Sequence, residues 1–238
     1  MPDVFFNQSE SVVIVTRKGF SFVRRDWDKK IISAAKKNPK CIVMPAYRSG
    51  AGSFKRVAYG GFLDIAEVRG GVPIILEPRW NLEVPEGGRV DCIMGGIYAC
   101  HSDWHRDICE CLGMKDGGTV DLIAISLKTR LAGGSCVVLQ DVVAEQSFDG
   151  LPVVDPETVA YNKIRLAMTA LPFGISTIVP TLLTGTPGLE KAMKNIMNDI
   201  KEIHNDRERF EAICGCSLSE AAARAGITFG PFQKQAAF

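Results

Sequence analysis

No uninterrupted apolar run of membrane-spanning length occurs in this chain, although one long stretch carries no charge. Between Arg165 and Glu190 no Asp, Glu, Lys or Arg occurs, and that length is enough to cross a bilayer. Pro172, Gly174, Pro180, Gly185, Pro187 and Gly188 punctuate it, however, and an irregular backbone cannot face lipid. Buried strands and turns are the expectation there, with peripheral membrane contact left open. The N-terminal residues MPDVFFNQSESVV are interrupted by acids and polar groups before an apolar core can form, which predicts no secretory leader.

Catalytic signatures are equally scarce. There is no G-x-S-x-G elbow, and GAGSFKR (residues 50–56) has glycines and bases without the spacing of a phosphate loop. No enzymatic activity and no cofactor are therefore expected. Nor is the chain short enough to need disulfide staples: its eight cysteines are spread over 238 residues, which points to reduced thiols in a cytosolic setting. Internal repeats and long linkers are absent too. Apolar residues at 46% and charged residues at 23% leave an ordinary globular chain with a sizeable core.

Overall charge is nearly balanced at +1, but its distribution is not. Twelve Lys/Arg fall in residues 1–60 (Arg17, Lys18, Arg24, Arg25, Lys29, Lys30, Lys36, Lys37, Lys40, Arg48, Lys55, Arg56) against four acids, Asp3, Glu10, Asp26 and Asp28. Local fields rather than totals attract a partner, so this half suggests a polyanion. The plainer reading is a solvated face compensated elsewhere in space. Phe20, Phe22, Trp27, Tyr47, Phe54 and Tyr59 interleave with these bases, and rings beside cations are what a sequence-tolerant single-strand binder uses. Aromatic residues in strands, by contrast, are usually core.

The patterning predicts a mainly β, α+β fold. SVVIVTRKGFSFVRR reads as a hairpin, Val12 to Thr16 and Phe20 to Val23, followed by a basic amphipathic helix over DWDKKIISAAKKN with Asp26 or Asp28 as its cap. Many short strands follow from Cys41 to Ile97, divided by Gly and Pro turns, an order that favours a sandwich or barrel. The stretch 124–150 reads as two strands joined by Gly133-Gly134, and TVAYNKIRLAMTAL and GISTIVP resume the sheet. After Pro187 the apolar residues Leu189, Met193, Ile196, Met197, Ile200 and Ile203 fall at helical spacing. Ser217 and Glu220 then form a capping box. The expected organisation is a β-rich domain over residues 1–186 with a basic N-terminal part, and a helical segment over 187–238 packed on it.

The densest reactive cluster is CHSDWHRDICEC, with Cys100, His101, His105, Cys109 and Cys111. On a helix, His101, His105 and Cys109 would project from one face and could bind zinc through imidazole and thiolate. No second C-x-x-C half accompanies them, so thiols packed inward beside solvated histidines are the stronger reading. A thiolate paired with one of these imidazoles is the hydrolase alternative, although no context singles out an activated cysteine.

Asp141 stands inside the apolar run Cys136–Val143. A strand aspartate costs free energy unless it faces water or meets donors. It reads as a structural carboxylate near a strand end, accepting from a turn or a basic side chain, and being lone it is not half of an acid–base pair.

A resemblance rests on these residues. VDLIAISLKTRLAGGSCVVLQDVV, then DGLPVVDPETVAYNKIRLAMTALPFGIST and an amphipathic helix, resembles the core of the 30K superfamily of plant viral movement proteins. Leu139-Gln140-Asp141 matches that family's Leu-x-Asp strand end. Gly150-Leu151 matches its Gly-bearing loop, Tyr161 to Leu171 with Phe173-Gly174-Ile175-Ser176 its next strand, and Leu189 to Ile203 its helix. The likeness covers about Thr119 to Ile203, and residues 1–100 have no counterpart in it. It implies a jelly-roll-like β sandwich and sequence-tolerant binding of single-stranded RNA or DNA by a homo-oligomer. It further implies delivery of a viral genome to plasmodesmata, with plasmodesmal or membrane-associated host partners and a place in the host cytoplasm and at cell junctions. A jelly-roll coat protein is the alternative, although such proteins often carry a floppy basic arm and the bases here begin within a strand pair.

Overall fold

The computed structural model describes residues 3–7, 11–16, 20–49, 56–69, 72–109, 112–115, 119–146, 155–232 and 234. The chain divides into two compact units, each assembled from separate segments. Met1–Phe62, Pro78–Arg106 and Gly134–Pro152 form the first; Leu63–Glu77, Asp107–Gly133 and Val153–Phe238 form the second.

In chain order the elements begin with β1 (Asp3–Asn7), β2 (Val12–Thr16), β3 (Phe20–Phe22), α1 (Trp27–Lys37), β4 (Cys41–Ser49) and β5 (Val57–Ala58). There follow β6 (Gly61–Arg69), β7 (Val72–Trp80), β8 (Arg89–Val90), β9 (Ile97–His101), α2 (Ser102–Cys109), α3 (Thr119–Leu131) and β10 (Ser135–Gln146). The remainder is helical: α4 (Pro156–Ala170), the short α5 (Phe173–Ser176) and α6 (Val179–Leu182), α7 (Leu189–Asn198), α8 (Ile200–Cys214) and α9 (Leu218–Arg224).

The first unit is built on one sheet of order β1-β2-β9-β4-β10-β3, with β5 pairing β4 and β8 pairing β10. β4 and β10 run parallel while the other pairs run antiparallel. This mixed sheet, with more residues in helices than in strands, corrects the mainly β expectation to a mixed α/β fold. A jelly roll is an antiparallel architecture, and the parallel β4/β10 pair does not belong to it. The hairpin read over 12–23 is also corrected. β2 pairs β1 and β9, whereas β3 pairs β10 further along the sheet.

Three further corrections concern elements read as strands. Ala124–Arg130 lies in α3, Tyr161–Ala170 lies in α4, and the GISTIVP stretch forms the turns of α5 and α6. Both long helices are buried nearly all round, from Val120 to Thr129 with only Asp121 partly covered and from Ala160 to Ala170 with only Met168 partly covered, so neither shows the polar stripe that marks a surface helix. α4 starts where sequence signals allow: Asp155 accepts from the Thr158 amide at 3.1 Å and Pro156 occupies the first turn. It packs against α3, α7 and α8 to form the core of the second unit. The helical stretch after Pro187 is broken at Asp199 into α7 and α8, and the capping box of α9 forms as Ser217 and Glu220 predict.

α1 covers one face of the sheet. Its Ile31 and Ala35 are wholly buried among Val12, Ile14, Val43, Ala99 and Val142, which leaves the lysines on its other side in water. No described helix is long and apolar enough to cross a membrane.

Candidate nucleic-acid interface

Helical periodicity places Lys29, Ser33, Lys36 and Lys37 on the side of α1 opposite Ile31 and Ala35, and all four are exposed. Arg25 and Lys40 are exposed at the two ends of the helix. Lys36 and Lys37 fall in the last turn, where the helix dipole favours positive charge. Among the described residues no carboxylate pairs with Lys29 or Lys37. Lys40 holds its ammonium 5.6 Å from the Trp104 ring centroid.

Other bases named by the sequence are already engaged. Lys30 donates to Asp141, and Arg24 lies 3.7 Å from the same carboxylate. Arg24 Nε also donates to Asp26 Oδ1 at 2.9 Å. Asp26 stands at the N-cap of α1, yet its side chain makes no capping bond. The bond from Lys30 holds the Asp141 carboxyl below the ordinary carboxylate range, and the bond from Arg24 does the same for Asp26. Arg48 Nη1 reaches Glu145 at 3.5 Å across the β4/β10 pair. Arg56 is exposed just before β5. Arg17, Lys18 and Lys55 lie outside the described residues, as does Gly150.

Leu139 and Asp141 both belong to β10, and the Asp141 side chain is 57% exposed. Gly174 lies in the short α5. The structure thus brings Asp141 to the base of α1, in the first unit, while Gly174 belongs to the second.

The cysteine and histidine cluster does not form the helical face expected of it. Cys100 and His101 end strand β9, and α2 starts only at Ser102. His101 Nδ1 accepts from the Asp103 amide at 3.4 Å. His105 Nε2 stands 3.5 Å from the Tyr98 hydroxyl, and burial pushes this imidazole below its usual pKa. Cys100 is buried, Cys109 is half-buried, and Cys111 lies outside the described residues. Among the described residues no group of three or more His, Cys, Asp or Glu side chains is placed to hold a metal ion.

Of the rings interleaved with these bases, Phe20, Phe22, Trp27 and Tyr59 are half-buried and Tyr47 is buried. Phe22 and Trp27 stack on each other at 3.7 Å with planes 2° apart, and Tyr47 is 4% exposed. Phe54 lies outside the described residues. Among the described residues, Phe62 at 45% and Trp80 at 41% are the exposed aromatic residues of the first unit, and Phe173, 67% exposed, belongs to the second. Phe62 and Trp80 fall within strand-like segments rich in apolar residues, and nothing in the alternation marks which ring is uncovered.

No family model matches the chain, and no curated protein matches it. Among solved structures, GalNAc-T7 with UDP, GalNAc and Mn2+ is similar over 81% of this chain, at 14% identity and a TM-score of 0.47. The chain spans 41% of that protein's length.

Proposed function

We propose that this chain binds single-stranded nucleic acid through the outward face of α1, without catalysing a reaction. The observation that carries the reading is the row Lys29, Lys36 and Lys37 on the solvent side of a helix whose other side is fixed to the sheet by Ile31 and Ala35. Cations held on a rigid element can neutralise successive phosphates and release their counterions, which supplies affinity without sequence preference. The first unit as a whole supports this, with fifteen Lys/Arg against eleven Asp/Glu. Asp141 and Asp26 satisfy Lys30 and Arg24, so those two bases serve the helix anchor rather than the ligand.

Of the likeness to movement proteins, Leu139-Gln140-Asp141 remains in a strand and the stretch after Leu189 remains helical. The segments matched to the family's other strands are helices, so charge carries the proposal more than resemblance does. Carriage of a viral genome between cells is the wider role such binding would serve. A fluorescent fusion in leaf epidermis tests it separately: punctate label at cell junctions supports it, and an even cytosolic haze confined to single cells removes it.

Binding itself is tested by anisotropy of a labelled oligothymidylate between about 50 and 200 mM salt. Each phosphate neutralised on a single strand contributes about −0.7 to the slope of log K against log salt. Reversing Lys29, Lys36 and Lys37 to Glu should weaken binding and flatten that slope by about 2. Unchanged affinity in the triple variant, or affinity indifferent to salt, would overturn the reading.

A further inference from the structure

We propose that Trp80 is a stacking platform for an unpaired base of the bound strand; this deepens the reading above and rests on it. A ring that captures bases has to be open to solvent and held still, because a mobile ring loses in ordering what it gains in contact. Trp80 meets both conditions. The residue is 41% exposed, and its indole packs edge-on against Tyr47, with centroids 5.7 Å apart and planes at 65°.

Tyr47 is in turn fixed from three sides. Its hydroxyl donates to the Ile97 carbonyl at 3.0 Å and accepts from the Ile97 amide at 2.9 Å. Phe20 packs on its ring at 5.6 Å. Gly95 closes on that ring so tightly, at φ +76°, that a Cβ there would fall 2.3 Å from it. The indole therefore rests on a ring held by two hydrogen bonds and close packing.

Position adds an independent argument. Tyr47 lies near the carboxyl end of β4, whose parallel partner β10 ends alongside it, with Gln146 opposite Ser49. Open α/β sheets receive ligands beyond the carboxyl ends of their parallel strands. An exposed arginine lies at the same strand ends: Arg56 leads into β5, which pairs with Tyr47 and Arg48, while Arg48 itself is held by Glu145. Arg79, next to Trp80, sits 5.7 Å above the exposed ring of Phe62. The backbone joins these pieces, since the Asn81 amide donates to Gly60 at 2.9 Å and the Tyr59 amide donates to Asn81 at 2.7 Å. Rings for bases beside arginines for phosphates fit a nucleotide strand better than a neutral ligand.

The chain contains three tryptophans, and Trp27→Phe with Trp104→Phe leaves Trp80 as the sole indole emitter. Oligothymidylate of about 16 nucleotides should quench that emission and saturate at the concentration where anisotropy saturates. In the otherwise unaltered chain, Trp80→Ala should weaken binding by about ten- to a hundredfold, and Trp80→Phe should restore most of the loss. This second variant keeps the proposal testable if the double Phe background fails to fold. Oligonucleotide that binds with unchanged emission, and with equal affinity for Trp80→Ala, overturns the platform and leaves the α1 reading standing. An oligonucleotide that does not bind at all overturns both. Quenching by thymidine monophosphate at the same base concentration as by the oligonucleotide would show a single-nucleotide site and overturn the assignment to a strand.

Discussion

Leu139 of β10 pairs with Pro45 of β4, and the next pair of the ladder joins Val143 to Ala46. Between them Gln140, Asp141 and Val142 have no register partner. Proline has no amide hydrogen to give the ladder, so the parallel pairing fails at Pro45 and β10 bulges there. The three released residues part company. Val142 is wholly buried in the cluster beneath α1, Gln140 Nε2 donates to the Pro85 carbonyl at 3.1 Å, and Asp141 reaches Lys30. An aspartate is tolerated inside an apolar strand because the bulge turns it to water and to a cation on the helix above.

Replacing Asp141 by Asn should cost less than about 1 kcal/mol at neutral pH, because the pair is half open to solvent. Its folded carboxyl sits below the ordinary range, so the contribution is complete above about pH 4 and fades as pH falls through the lowered value. Urea unfolding of the two proteins across pH should show their difference vanish in acid. A difference that grows in acid would mean that Lys30 is not the partner that matters.

Arg165 is 1% exposed and donates to Asp206 at 2.5 Å, to Glu202 at 2.7 Å and to the Tyr161 hydroxyl at 3.1 Å. Removing one partner of a buried pair leaves a bare charge. Arg165→Met should therefore lose about 3 to 5 kcal/mol, and adding Asp206→Asn should recover part of it. Equilibrium unfolding of the single and double variants measures both.

Gly113 and Gly133 both adopt positive φ, at +52° and +81°, but a Cβ at Gly113 would lie 1.9 Å from Arg165 Nη2 while one at Gly133 meets nothing. Gly133→Ala should cost about 1 kcal/mol for backbone strain alone. Gly113→Ala should cost clearly more, since it displaces the buried guanidinium. Equal melting temperatures for the two variants would refute this ordering.

Burial depresses the pKa of His105, so the folded chain resists charging it. Stability from this residue is complete above about pH 6.5 and declines as pH falls through the lowered value. An NMR titration of its ring proton should give a midpoint below about 6.5, and a normal midpoint would contradict the burial.

Elements whose signal is local were legible in the residues alone. α1 has a polar side and an apolar side with Pro39 beyond it, and the start of α9 is written in Ser217 and Glu220. β2 and β10 are β-branched runs between turns. The concentration of bases in the first sixty residues was equally plain, but only some of them, Lys29, Lys36 and Lys37 among them, line the candidate face, while Lys30, Arg24 and Arg48 meet carboxylates. Contacts between residues distant in sequence settled the rest. α3 and α4 are covered on almost every side by other helices, which erases the polar stripe and leaves Val, Ile and Thr looking like strand. β2 and β3 are consecutive yet separated in the sheet, because pairing is chosen by long-range packing and not by the turn between them. Trp80 is open while Tyr47 is closed, although both are aromatic residues in extended segments. Which ring faces water depends on what the rest of the chain brings against it, and no periodicity within either strand encodes that.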